Sequence, residues 1–273
     1  MDAIRLGTPS YPAMLAQIPN PPKQLWIRGD PATCRQTAVA VVGARAASRE
    51  GRAMAANIAA DLARAGIVVV SGLARGIDSA AHEGALDGGG KTIAVLGTGI
   101  DVVYPPENTG LAARIVASGA LLTEFPPGTE PRAQNFPSRN RIISGLSRAV
   151  VVIEAAEKSG SLITAREAAD QGREVMAVPG SVAAGRYWGC HALLRDGAKL
   201  VESAVDILQE LGLSAGPPGL ARSSEVVEFT VDDVAQELKL SPGEALARLL
   251  EWELTGEIQR VGSGRFVRSR SKV

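Results

Sequence analysis

Ala38-Val39-Ala40-Val41-Val42-Gly43 decides the fold. Five apolar residues with no polar alternation describe a strand covered on both faces, and the glycine that ends them lets the chain turn sharply. The period then changes. Met54, Ile58, Leu62 and Ala65 share one face of a helix from about Arg49 to Ala65, which Gly66 stops. Ile67–Val70 is a second bare apolar run, followed by Ser71-Gly72 and a helix from about Ile77 to Leu86. Thr92–Leu96, Ala120–Thr123, Ala149–Ile153 and Glu174–Val178 continue the strands, with helices around Leu111–Ala117 and Ser161–Gln171. Buried strands alternating with helices call for right-handed crossovers, so the prediction is an α/β fold with a doubly wound, mainly parallel sheet over 36–212.

The flanks read differently. Residues 1–35 are proline-rich and irregular, with turn signals at Tyr11-Pro12 and Asn20-Pro21-Pro22. Leu15, Ile18, Leu25, Trp26 and Ile27 can pin this lead segment onto the main domain, and it is too short to be a domain itself. Residues 213–224 have the composition of a linker. Over 225–268, two helices (Val231–Leu238 and Pro242–Leu254) precede a hairpin (Glu257–Val261 and Arg265–Arg268), the outline of a small C-terminal winged helix, with a basic tail over 269–273. Its second helix carries Glu244, Glu251 and Glu253 against Arg248 alone. Acidic side chains are repelled by duplex phosphates, so a protein partner for this module is the expectation rather than duplex reading.

Bulk composition narrows the class. Lys plus Arg and Asp plus Glu number 29 each in 273 residues, which argues against a chain coated in nucleic acid but leaves room for a confined basic groove. No signal-peptide succession and no bilayer-length apolar run is present, so no membrane anchor is expected and a cytoplasmic setting is. Cys34 and Cys190 make no disulfide framework, and Cys190-His191 has no further ligand at metal spacing, so no metal is expected.

The candidate site lies where glycines follow strands: Gly43, Gly72, Gly97 with Gly99, and Gly180. In such sheets ligands sit at the carboxyl ends of the strands. Between Pro131 and Ile153 there is no acidic residue, while Arg132, Arg139, Arg141 and Arg148 all fall inside. Within that run, Asn135-Phe136-Pro137-Ser138-Arg139-Asn140-Arg141 offers guanidinium forks for phosphate and a ring for a base. The plainer alternative makes Phe136 core and the arginines helix caps. Ser71-Gly72-Leu73-Ala74-Arg75-Gly76 exposes amides at a helix start and adds a charge. Asp78 and His82, four apart on that helix, read as a carboxylate holding an imidazole, more as a strut that fixes the loop than as an acid–base pair. Glu157-Lys158-Ser159-Gly160-Ser161-Leu162-Ile163-Thr164 is a third anion-site outline. Neither Gly43-Ala44-Arg45 nor Gly97-Thr98-Gly99 completes a dinucleotide fingerprint, so no cofactor is expected.

Ser71–Asp78, Thr92–Asp101, the run through Ser147, Glu154 with Ser159–Leu162, and Val178-Pro179-Gly180 with Gly189-Cys190 closely resemble the DprA/Smf family of DNA-processing proteins. The resemblance covers about Tyr11 to Leu211. It implies an extended Rossmann-like domain that binds single-stranded DNA, forms a homodimer and loads RecA onto the strand during natural transformation, without enzymatic activity. Position by position it implies that Arg45, Gly72, Arg75, Gly76, Phe136, Arg139, Asn140 and Arg141 line the strand-binding pocket, with Gly160 and Ser161 nearby. Two departures stand out: Ala44 replaces a small hydroxyl residue, and Pro106 stands where many members carry a basic one. The rival from another class is a lysine-decarboxylase-like phosphoribohydrolase. Lys158–Thr164 does not match the Pro-Gly-Gly-x-Gly-Thr pattern which that group resembles.

Overall fold

The computed structural model describes residues 2–213, 228–238, 241–254, 258–260 and 265–268. The chain divides into two units, Met1–Leu220 and Ala221–Val273. The first begins with β1 (Asp2–Arg5), a single turn α1 (Ala13–Ala16) and β2 (Gln24–Gly29). The alternation follows: β3 (Ala38–Val42), α2 (Arg49–Arg64), β4 (Val68–Ser71), α3 (Ile77–Asp87), β5 (Thr92–Val95), α4 (Thr109–Ser118) and β6 (Ala120–Thr123). It continues through α5 (Asn135–Gly145), β7 (Ala149–Val152), α6 (Ser161–Asp170), β8 (Glu174–Ala177), α7 (Trp188–Arg195), β9 (Lys199–Leu200) and α8 (Ala204–Glu210).

These nine strands form one sheet in the order β1-β2-β6-β5-β4-β3-β7-β8-β9. From β6 to β9 every pairing is parallel, while β2 joins β6 antiparallel and β1 joins β2 antiparallel. The sheet is therefore mixed, and the lead segment expected to be irregular contributes two of its strands. Leu25 and Ile27 alternate inward along β2, which lets a short strand pair at an edge despite the prolines around it. Period-2 alternation also sorts the covering helices. Ala38, Ala40 and Val42 face the layer that holds α5, α6 and α7, whereas Val39 and Val41 face α2, α3 and α8. Ala94, Leu96 and Leu121 meet α4.

Strand order reverses at β3. From there the chain winds outward to β4, β5 and β6, then returns to place β7 on the other side of β3. The loops leaving β3 and β7 consequently diverge and open a crevice between them. Glu154, just beyond β7, spans it. Its carboxylate accepts from Ser48 N (3.1 Å) and Ser48 Oγ (2.5 Å), and Ser48 in turn caps α2 by accepting from Gly51 N (2.9 Å).

The second unit holds β10 (Glu228–Thr230), α9 (Val231–Leu238), α10 (Pro242–Leu254), β11 (Ile258–Arg260) and β12 (Arg265–Arg268), with sheet order β10-β12-β11. Val234, Ala245, Leu249 and Phe266 form its core. The two helices fall where sequence placed them, and β10 is an addition. Glu244 caps α10 through Ser241 N (2.9 Å), and Glu251 pairs with Arg248 (2.8 Å). Most of the expected linker, the turn of the hairpin and the basic tail lie outside the described residues. Among the described residues no helix is long and apolar enough to cross a membrane, and no group of three or more His, Cys, Asp or Glu is placed to hold a metal ion.

Candidate functional site

A cavity of about 520 Å³ opens at the crevice between β3 and β7. Its wall comes from the β3 loop (Gly43, Ala44, Arg45), one face of α5, and the β7–α6 loop with the start of α6 (Lys158 to Ser161, and Thr164). Ala74 and Asp78 close the remaining side.

Helix α5 explains which of its side chains arrive there. Phe136, Arg139, Asn140 and Ile143 line the cavity, and they stand at i, i+3, i+4 and i+7, one face of a helix. Arg141 is turned away by the same periodicity. Its guanidinium grips Glu124 through two parallel bonds (2.6 and 2.7 Å), and its Nε donates to Asn20 O (3.1 Å). The expectation that Arg141 stands with Arg139 and Asn140 at one pocket does not fit this geometry, because three consecutive helical residues point about 100° apart.

Arg139 is in the cavity wall but only 3% exposed. Its Nη1 donates to Val95 O (2.6 Å), and its Nε is buried without a partner among the described residues. Burial pushes its pKa down to about 10, with Asp78 opposing the shift and Arg45 adding to it, so the group stays charged at neutral pH. Gly72 is the space this guanidinium occupies, since a Cβ there would collide with it. Gly76, at φ +77°, has no room for a Cβ against the Ala44 and Arg45 backbone. Both glycines shape the site without standing among its lining residues.

Asp78 and His82 do not pair as sequence spacing suggested. Asp78 accepts from the amides of Gly72 (3.1 Å) and Ala74 (3.4 Å), tying down the loop directly. Burial raises its pKa, while Arg139 pulls the other way. His82 Nδ1 lies 2.7 Å from Thr92 Oγ1, and that hydroxyl donates to Val69 O (2.7 Å). The imidazole Nδ1 must therefore carry the proton, and burial holds the ring neutral, its pKa pushed down to about 3.

The charges open to solvent at the mouth are Arg45 and Lys158. Arg45 sits over the Phe136 ring, its guanidinium carbon 5.6 Å from the centroid. Lys158, part of the third anion-site outline read in sequence, stands beside Ser159 and Ser161, whose hydroxyls meet at 2.8 Å, at the start of α6. Asn140 Nδ2 reaches toward Gly160 O (3.5 Å). Arg75 is exposed, outside the lining, and paired with Glu107. The arrangement combines two exposed cations, a buried fixed one, a helix N-terminus and a ring. Chemically, such a set suits a phosphate with an attached planar group.

Fold and crevice together define a Rossmann-like α/β protein with a cation-lined crevice at its topological switch point. The family model for DNA recombination-mediator protein A matches residues 2–212, and the chain belongs to that family. DNA processing protein DprA of Streptococcus pneumoniae is 48% identical over 200 residues, covering 73% of this chain and 71% of the relative. Protein Smf of Escherichia coli is 40% identical over 282 residues, covering 95% and 75%. The X-ray structure of the Streptococcus pneumoniae protein superposes with a TM-score of 0.74 at 45% identity, covering 77% of this chain and 74% of that one. DNA processing protein A of Helicobacter pylori, solved for its single-stranded DNA binding mode, gives 0.69 at 28% identity, covering 77% and 96%.

Proposed function

We propose that the protein binds single-stranded DNA at the β3–β7 crevice, shields it, and hands it to RecA as a homodimer in the cytoplasm. The observation that carries this reading is the position of the cavity: it stands at the reversal of strand order, with Arg45, Lys158 and the start of α6 converging on it. Arg45 and Lys158 capture backbone phosphates, the N-terminal end of α6 adds its helix dipole, and Phe136 presents an aromatic surface to a base. Gly72, Gly76 and Asp78 hold the neighbouring loop in register, and Arg139 supports the field from beneath.

The protein carries out no bond-making step in this reading. The C-terminal unit, with two helices and a three-stranded sheet, is a winged helix whose acidic α10 docks a protein partner. RecA and the dimer come from family membership. Two assays test the whole reading. Nuclease protection and RecA-dependent strand pairing on single strands precoated by a heterologous single-strand binding protein should both rise with added protein. Incubation with nucleoside monophosphates should release no base; turnover there would instead establish a phosphoribohydrolase.

A further inference from the structure

Phe136 is the ring that sequence offers to a base, yet it is already hemmed in. A Cβ on Gly97 would come within 2.9 Å of Phe136 Cδ1, so the strand-end backbone lies tight against one side. Arg45 covers a face of the ring. Phe136 is half-buried in the cavity wall, and the more open aromatic surface belongs to its neighbour. Tyr104 stands 5.4 Å from Phe136, centroid to centroid, tilted by 46°, and is 39% exposed.

We infer that Tyr104 is a base-stacking platform which takes the nucleotide next to the one held in the cavity, a role that rests on the single-strand reading above. Tyr104 follows β5 on the same carboxyl edge as the cavity. The loop that carries it is held firmly: Thr98 Oγ1 donates to Val102 O (2.6 Å), and Asp101 accepts from Gly128 N (2.8 Å). A ring fixed before binding loses little freedom when a base stacks on it. Stacking on an aromatic face is indifferent to base identity, which suits a protein that takes any sequence. Beyond Tyr104 comes charge. Arg75 is exposed and pairs with Glu107, three residues beyond Tyr104. A strand leaving the cavity thus passes Arg45 and Phe136, crosses Tyr104, and brings its next phosphate to Arg75.

The test uses the full chain, labelled oligothymidylates of increasing length, and strands carrying 5-iodouracil for photo-cross-linking. Tyr104→Ala should weaken binding on the order of ten-fold for strands longer than the cavity can hold, leave the shortest strands unaffected, and keep the salt dependence unchanged. Tyr104→Phe should bind as the wild type does, since the ring and not the hydroxyl is used. Irradiation of the wild-type complex should attach the strand to the peptide containing Tyr104. Wild-type affinity in Tyr104→Ala, or equal losses in the Ala and Phe variants, would overturn the platform. If Tyr104→Ala fails to fold, the cross-link decides: present at Tyr104 it supports the platform, absent it overturns it. Failure of the wild type to bind any single strand would remove the underlying function as well. Binding that depends on Arg45 but ignores Tyr104 would remove the platform alone.

Discussion

Each arginine at this edge has a different task, and partners rather than sequence position assign it. Arg45 is exposed over a ring, Arg139 is sealed under Gly72, Arg141 is locked to Glu124, and Arg75 is held by Glu107. Arg141→Ala should therefore leave single-strand affinity unchanged while lowering stability by about 2 kcal/mol, the value of a bidentate, part-buried charged pair. Urea unfolding and anisotropy on the same sample check both halves. Glu107→Gln should act in the opposite sense. Freed from its competing partner, Arg75 engages phosphate more fully, so affinity should rise a few-fold and the salt dependence steepen by up to about one counterion. A titration at two ionic strengths that showed no change in slope would mean that Arg75 never meets the strand. The acid-free run from Pro131 to Ile153 promised a local positive field, and at this scale it is largely spent. Glu124 precedes that run by only a few residues, yet it neutralises Arg141, and one-dimensional spacing gave no sign of the pairing.

At the scale of elements, helix phase and glycine contacts set the site. Gly72 lies against the Arg139 guanidinium, so Gly72→Ala should displace it and cost about 1–3 kcal/mol through overpacking, with single-strand affinity falling alongside. Gly89, where a Cβ meets nothing within 4 Å, shows that lack of space is not general to the loop glycines here. The central strands and their helices were legible because buried runs such as Ala38–Val42 and the periodic Met54, Ile58 and Leu62 carry strong, opposite periods. β1 and β2 were not, because short antiparallel strands in a proline-rich segment leave only a weak alternation. The site was legible as a set of residues and not as a surface. Phe136, Arg139 and Asn140 were identified, but the phase that joins Ile143 to them and rejects Arg141 appears only once α5 is laid against the sheet. The Asp78–His82 pairing failed for a similar reason: i,i+4 spacing permits a contact, while the loop amides and Thr92 compete for it and win.

For the molecule as a whole, the buried His82 makes stability sensitive to mild acid. His82 is neutral when folded, with its pKa pushed down to about 3, against about 6.5 in the unfolded chain. A depressed histidine contributes stability that is fully present above the unfolded value and is lost as pH falls below it, at about 1.4 kcal/mol per pH unit. Denaturant midpoints should consequently drop between pH 7 and pH 5 by an amount worth about 2 kcal/mol, and the drop should vanish in His82→Asn. The central claim is that the switch-point crevice, and not the C-terminal unit, holds the strand through exposed cations. Fluorescence anisotropy of a labelled single-stranded oligonucleotide at two salt concentrations, comparing wild type with Arg45→Ala against duplex competitor, tests it most directly. The account predicts salt-sensitive binding that duplex does not displace, with both affinity and salt slope reduced in the variant. Equal competition by duplex together with wild-type behaviour of Arg45→Ala would contradict it and would move DNA binding away from the crevice.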